Sequence, residues 1–217
     1  MLKHELDRLE KHLLTLTAVV EESVQKAVRA LATRDVALAE QVIAGDDQVN
    51  RMEVDLEEEC LKVLALHQPV AHDLRLIVAV MKINNDLERI ADNAVSISQR
   101  AVSVAGYPRQ EKPVLTLDAM TARALDMLGK ALDALVNADL VLARHIIALD
   151  DEVDNLHAQN YELFKEQIRR NPDAVDYMLH FLVVSRNLER IADLATNIAE
   201  DVIYLNEGNI IRHKKTP

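Results

Sequence analysis

Acidic side chains one helical turn apart recur along this sequence, and they are the residues best placed to do chemistry. Glu88 and Asp92 stand four residues apart, and Glu189 and Asp193 repeat the spacing. Asp46, Asn50, Glu53 and Glu57 follow at steps of four, three and four, and Asp150, Asp154 and His157 at steps of four and three. On a helix, residues at i and i+4 have Cβ atoms only ~5–6 Å apart, so two such pairs on adjacent antiparallel helices can gather several oxygens around one hard cation or a small metal cluster. Carboxylates of this kind accept Mg, Ca, Mn, Fe and, less exclusively, Zn. The alternative is a solvated helix face, where like charges at this spacing cost only a few tenths of a kcal/mol and Arg89 and Arg190 can neutralise Asp92 and Asp193 at i,i+3.

Other chemistries lack their residues. There is no Glu-x-x-His of the di-iron bundles, no His-Glu-x-x-His and no Gly-x-Ser-x-Gly elbow; Asp154-x-x-His157 is the nearest approach. The four glycines, Gly45, Gly106, Gly129 and Gly208, stand alone, which excludes a phosphate loop or a dinucleotide fingerprint. The single Cys60 permits no intrachain disulfide and no CxxC site, fits a reducing compartment, and reads as a small buried hydrophobe. His67 and His72, beside Pro69, read as surface or boundary residues. No catalytic set emerges. With aromatics at 3%, a hydrolase built on paired carboxylates would lack the side chains that usually line a pocket.

The elements that must position these residues are helices. Leu2, Leu6, Leu9, Leu13, Leu16, Val20, Val24, Ala27 and Leu31 recur at steps of three and four and predict a first long amphipathic helix. Asp35 is a fitting N-cap for a second, running to about Leu66, and Gln68-Pro69 breaks the pattern. The third has the seam Leu76, Val80, Ile83, Leu87, Ile90, Ala94, Ile97 and Ala101 and ends near Gly106-Tyr107-Pro108. A wheel at ~100° per residue puts Glu88 and Asp92 on the outer face of that helix, away from the seam.

After position 113 the chain repeats itself. Ile43-Ala-Gly-Asp-Asp-Gln-Val is echoed by Ile147-Ala-Leu-Asp-Asp-Glu-Val, and Asp35 by Asp139, at an offset of 104 residues. Leu87-Glu-Arg-Ile-Ala-Asp92 returns letter for letter as Leu188-Glu-Arg-Ile-Ala-Asp193 at an offset of 101. The sequence therefore predicts an all-α protein of two tandem three-helix bundles, six long antiparallel helices, with bundles over 1–106 and 114–207, a linker over 107–113 and a tail over 208–217.

Composition bounds the partners. Twenty-five basic against 36 acidic side chains give a charge of −11, which argues against nucleic acid. The longest apolar run, Leu76 to Met81, is far short of the ~18 residues a membrane span needs. A soluble cytoplasmic protein is expected. Met81, Val95 and Val102 leave apolar flank that a homodimer would cover, and the basic Arg212-His213-Lys214-Lys215 reads as a solvated terminus.

The Leu-Glu-Arg-Ile-Ala-Asp pair, Gln68-Pro69-Val-Ala-His-Asp-Leu-Arg75, Gly45-Asp-Asp-Gln-Val-Asn50 and the ending Asn197-Ile-Ala-Glu200 through Gly208 resemble, in order and spacing, the motifs of the PhoU family of phosphate-uptake regulators. The resemblance spans nearly the whole chain. It implies a pair of three-helix bundles whose acidic motifs hold multinuclear iron or zinc at the surface. Matched residue by residue, the metal ligands it implies are Asp46, Asn50, Glu88 and Asp92 in the first repeat and Asp150, Asp154, Glu189 and Asp193 in the second. Asn50 stands where the second repeat has Asp154, a weaker, uncharged donor, and Ala91 and Ala192 stand where many members have glycine. The resemblance further implies a non-catalytic negative regulator, an adaptor between the phosphate ABC transporter ATPase and the phosphate sensor histidine kinase, held at the inner face of the membrane through those partners. A metal-binding or metal-dependent enzyme using the same carboxylate ladders is the competing reading.

Overall fold

A computed structural model describes residues 2–108 and 116–211 as six helices. They are α1 (Leu2–Thr33), α2 (Val36–His67), α3 (Ala71–Ala105), α4 (Leu117–Asn137), α5 (Leu140–Arg170) and α6 (Val175–Glu207), with a 3-10 turn over Pro172–Ala174. The second helix ends at His67 and the third at Ala105, each one residue from the expected Leu66 and Gly106. Most of the linker expected over 107–113, and the basic end of the tail, lie outside the described residues. Asp35 and Asp139 cap α2 and α5, each accepting a backbone N–H of the first turn through its carboxylate at 3.0 Å. The repeat in the sequence is thus also a repeat of helix starts. Cys60 is fully buried, and burial pushes its thiol up to about 12, so it is an inert part of the core.

Each bundle is built on its third helix. α3 packs against α1 and α2, α6 against α4 and α5, and α3 and α6 pack against each other. That last contact explains part of what one apolar seam could not predict, Asn187 and Asp201 meeting α3, whereas Asn84 is held toward α2 and Ser185 toward α5 within their own bundles. α3 buries not only its expected seam but also Asn84, Asp86, Asn93 and Ser98, and α6 buries Ser185, Asn187 and Asp201. The flank carrying Met81, Val95 and Val102 is likewise half-buried, with Met81 and Val102 packed on buried clusters, so it does not by itself call for a second copy of the chain.

The register of the central pair is set by two polar contacts. Lys82 Nζ donates to the buried Asp201 at 3.1 Å, and Asn187 Nδ2 donates to Ser96 Oγ at 2.8 Å. Lys82 and Asp201 lie nine residues either side of Ala91 and Ala192, and Ser96 and Asn187 lie five. The helices are therefore antiparallel and cross where the motif alanines meet, both almost wholly buried. Because the same hexapeptide brackets the crossing on both helices, the two bundles are related by a local two-fold axis normal to the plane of the pair. A small side chain at the crossing lets the backbones approach, and here alanine does so without the helix penalty of glycine.

One end of the molecule is tied by aromatic packing. Arg34, at φ 57°, donates to the carbonyl of Tyr107 and, at 2.9 Å, to the hydroxyl of Tyr177. Tyr177 in turn packs edge-on against Phe181 and tilted against Tyr107. The α1–α2 turn of one bundle is thereby fastened to the start of α6 in the other.

Replacing Ala91 by leucine forces three methylene-sized atoms into the crossing. Overpacking of this kind costs about 1–3 kcal/mol, so Ala91→Leu should lower the denaturant midpoint at unchanged slope. An unchanged midpoint would place Ala91 away from the helix crossing.

Candidate metal-binding carboxylate clusters

The second repeat brings its acidic residues together. Each of Asp154 on α5 and Glu189 and Asp193 on α6 offers an oxygen within 4.8 Å of the others. Asp150, one turn before Asp154, joins them electrostatically and accepts a hydrogen bond from Thr196 Oγ1 at 3.2 Å. Burial, then Asp154, holds the Asp150 carboxyl above its ordinary range, with the Thr196 hydroxyl pulling the other way. Asp193 is pushed further, to about 6, by burial first and then by Glu189, Asp150 and Asp154, and Arg190 opposes the rise. Arg190 therefore acts on Asp193 as its spacing suggests.

The first repeat is looser. Asp46 on α2 is raised by burial and by Asp92, while the Asn50 amide donates to its Oδ2 at 3.2 Å. Glu88 on α3 is raised by burial, then Asp92, Glu53 and Asp46, with Arg89 opposing. Asp46 Oδ1 is buried without a hydrogen-bond partner, an acceptor that a cation would satisfy. Arg89 differs from the expectation: its ion pair, at 3.8 Å, is with the buried Asp86 one turn earlier and not with Asp92. Asp86 is buried, and there a paired cation is worth more than at the exposed Asp92.

Of the eight expected ligands, Asp154, Glu189 and Asp193 converge with Asp150 beside them, whereas in the first repeat Asp46 lies near Asn50, Asp92 and Glu88 without so tight a convergence among the described residues. Glu88 and Glu189 are half-buried between solvent and the neighbouring helix, and Asp92 and Asp193 remain exposed. Glu53, left out of the ligand set, belongs to the first cluster: it helps raise Glu88, is itself raised by burial and by Glu57, and Asn84 Nδ2 donates to its carbonyl at 2.9 Å. The signal was present in its place on the acidic ladder. At the equivalent position of the second repeat stands His157, whose Nδ1 lies 2.9 Å from Ser185 Oγ. Ser185 also accepts from the wholly buried Asn160, so the imidazole is held by a satisfied network one turn beyond Asp154. The donors present are oxygens, with one imidazole close to the second set. Such sets suit hard and borderline cations, so the second flank, where three carboxylates converge, fits a metal, while the first offers the same donor type without that convergence among the described residues.

The chain matches the family model described as the PhoU domain twice, over residues 13–101 and 117–202. It is 37% identical over 210 residues to the phosphate-specific transport system accessory protein PhoU homolog of Aquifex aeolicus, covering 97% of this chain and 95% of that one. It is 33% identical to the accessory protein PhoU of Escherichia coli, covering 96% of this chain and 86% of that one. Among solved structures it is similar to PhoU from Pseudomonas aeruginosa, with a TM-score of 0.93, 36% identity and coverage of 96% of this chain and 100% of that one. The phosphate transport system regulatory protein PhoU from Streptococcus pneumoniae gives a TM-score of 0.84 at 31% identity, covering 97% and 99%.

The raised Asp193 carboxyl fixes the sign of a pH effect. Its folded value of about 6 lies above the ordinary 3.8, so between those values the folded state holds more proton than the unfolded one, and stability falls as pH rises through that window. Metal-free protein should lose melting temperature as pH rises from 4 toward 6, by on the order of 2 °C from this group. Asp193→Asn should flatten that slope and raise the melting temperature near neutral pH. A slope unchanged in Asp193→Asn would show that the carboxylates do not repel one another in the fold.

Proposed function

The chain belongs to the PhoU family, and from that premise we propose that it is a non-catalytic negative regulator of phosphate uptake and of phosphate-starvation signalling. In this reading it works in the cytoplasm as an adaptor between the ATPase of a phosphate ABC transporter and a phosphate sensor histidine kinase. The names of its relatives, accessory and regulatory proteins of phosphate transport, support the regulatory part. The observation that carries the site is the pairing of carboxylate clusters by the local two-fold axis. Because that axis is normal to the α3–α6 plane, both clusters open toward the same side of the molecule.

The metal part of the proposal assigns iron or zinc to these clusters. Asp46, Glu53, Glu88 and Asp92 would hold it in the first repeat, and Asp150, Asp154, Glu189 and Asp193 in the second. Bound metal would supply positive charge where the chain alone concentrates negative charge. The residues themselves do the positioning: Asn50 orients Asp46, Thr196 orients Asp150, and Arg89 and Arg190 temper the charge on Glu88 and Asp193. A surface so arranged is suited to recognition, with charge and shape set by the packing of four helices.

Deleting the gene should derepress phosphate-starvation genes in phosphate-rich medium, and capture of the tagged protein after mild crosslinking should recover a transporter ATPase or a sensor kinase. Metal analysis of protein purified without chelator should find iron or zinc, with at least about half of it lost in Glu189→Gln/Asp193→Asn. Unchanged reporter output and neither partner recovered would sink the adaptor reading. Turnover that needs both added metal and Asp193 would replace it by the enzymatic one.

A further inference from the structure

One motif of the sequence is left unused by the carboxylate clusters. Asp154-x-x-His157 has the spacing at which metal-binding helical bundles set a carboxylate and an imidazole on neighbouring turns of one face. Asp150, Asp154 and His157 form a stripe along α5, and each member of it meets α6: Asp150 at Thr196, Asp154 at Glu189 and Asp193, His157 at Ser185. His157 is half-buried there and stands beside the three converging oxygens, not among them. Asp154 has a second oxygen, and Cβ atoms ~5–6 Å apart at i,i+3 let it and His157 share an ion.

A buried polar network holds the imidazole. Its Nδ1 lies 2.9 Å from Ser185 Oγ, which accepts from Asn160 Nδ2 at 3.1 Å and lies 3.3 Å from Met120 Sδ. Ser185 and Asn160 are both wholly buried. The serine hydroxyl has one proton and two acceptors within reach, His157 Nδ1 and the Met120 thioether. It can therefore turn to the sulfur and receive a proton from Nδ1 without leaving any group of the network unpaired. Nε2 takes no part in these bonds, and with the proton on Nδ1 it carries the free lone pair that a metal needs. Metal-ligating histidines are oriented in this way, by a hydrogen bond from the nitrogen that does not bind the ion.

The first repeat has none of this. At the offsets of 104 and 101 residues, His157 corresponds to Glu53, Asn160 to Leu56 and Ser185 to Asn84. Leu56 is an ordinary part of the apolar core, and Asn84 donates to the Glu53 carbonyl at 2.9 Å. Placing an amide where its counterpart is leucine is unfavourable unless its polar atoms are paired. The carbonyl of Asn160 is paired by fastening the start of α4, accepting from the Thr116 N–H at 2.7 Å and its hydroxyl at 2.9 Å. That role requires neither Ser185 nor an imidazole. The other half of the network leads outward and ends on His157, one turn from Asp154.

We propose that His157 is a metal ligand of the second flank through Nε2, with Ser185 and Asn160 as its positioning residues, and that it makes this flank select zinc or iron(II) over magnesium. Imidazole suits those borderline cations, whereas an all-oxygen set carries no such preference. The inference rests on the metal reading of the second flank. Zinc alone and magnesium alone should be titrated into the full-length chain carrying Glu88→Gln/Asp92→Asn, which confines binding to the second flank. Zinc should shift the NMR signal of the His157 Nε2 nitrogen in isotope-labelled protein, a readout that needs no change at His157, and magnesium should not. His157→Gln should weaken zinc binding about tenfold or more and leave magnesium binding unchanged. Ser185→Ala should also weaken zinc and not magnesium, a selectivity that mere loss of packing would not produce. His157→Glu should keep magnesium and lose the preference for zinc. Zinc binding that needs Glu189 and Asp193 but leaves the His157 nitrogen unmoved and survives His157→Gln would overturn the inference while sparing the carboxylate site. If neither cation binds, or binding is indifferent to Glu189 and Asp193, the metal reading fails and the inference falls with it.

Discussion

The close antiparallel packing of α3 on α6 is the constraint on which the rest of the molecule depends. A three-helix bundle can bury a single stripe from each helix and leave the opposite faces wet. Here the third helix of each bundle is covered on further sides, and its backbone meets its counterpart where Ala91 and Ala192 are almost wholly buried. Bulk at that point would separate the helices and loosen the Lys82–Asp201 and Ser96–Asn187 contacts together. The carboxylate flanks depend on the same crossing, because Glu88, Asp92, Glu189 and Asp193 lie within one turn of it on the two central helices.

Both flanks crowd like charges together. Burial and neighbouring carboxylates raise Asp46, Glu53, Glu88, Asp150 and Asp193 alike, and in every case burial is the larger cause. A purely structural surface would gain by replacing these groups with amides or lysines, as solvated helix faces normally do. The two repeats resolve this tension differently. In the first, Asn50 supplies an amide to Asp46; in the second, Asp154 supplies another charge and Thr196 a hydroxyl to Asp150. Three carboxylates therefore stand close together in the second repeat, where the first has an amide among them.

Much of this was legible in the sequence, and for identifiable reasons. Helix ends were readable because Asp35, Asp139 and Pro69 act locally, through caps and a missing N–H. The internal repeat was readable because a hexapeptide recurs unchanged. The clusters were readable because spacing of i and i+4 on helices that must be neighbours fixes which side chains face each other. What escaped was everything decided by the contact between the bundles. The burial of Asp201 against Lys82 and of Asn187 against Ser96 comes from α3 meeting α6, and one helix's periodicity carries no trace of a second partner. Glu53 escaped for a smaller reason: it sat in plain view on the ladder, but its counterpart is His157, so matching the repeats as carboxylates passed over it.

A surface built twice about an axis also presents every approaching molecule with a choice of poses. Anything that recognises one flank can dock again after half a turn, so a partner lacking symmetry would see two nearly equivalent ways to bind. Asn50 against Asp154 and Glu53 against His157 make the two flanks chemically unequal across the axis. Duplication alone would give two equivalent faces; the divergence of side chains such as Asn50, Glu53 and Val95 from Asp154, His157 and Thr196 makes them distinguishable.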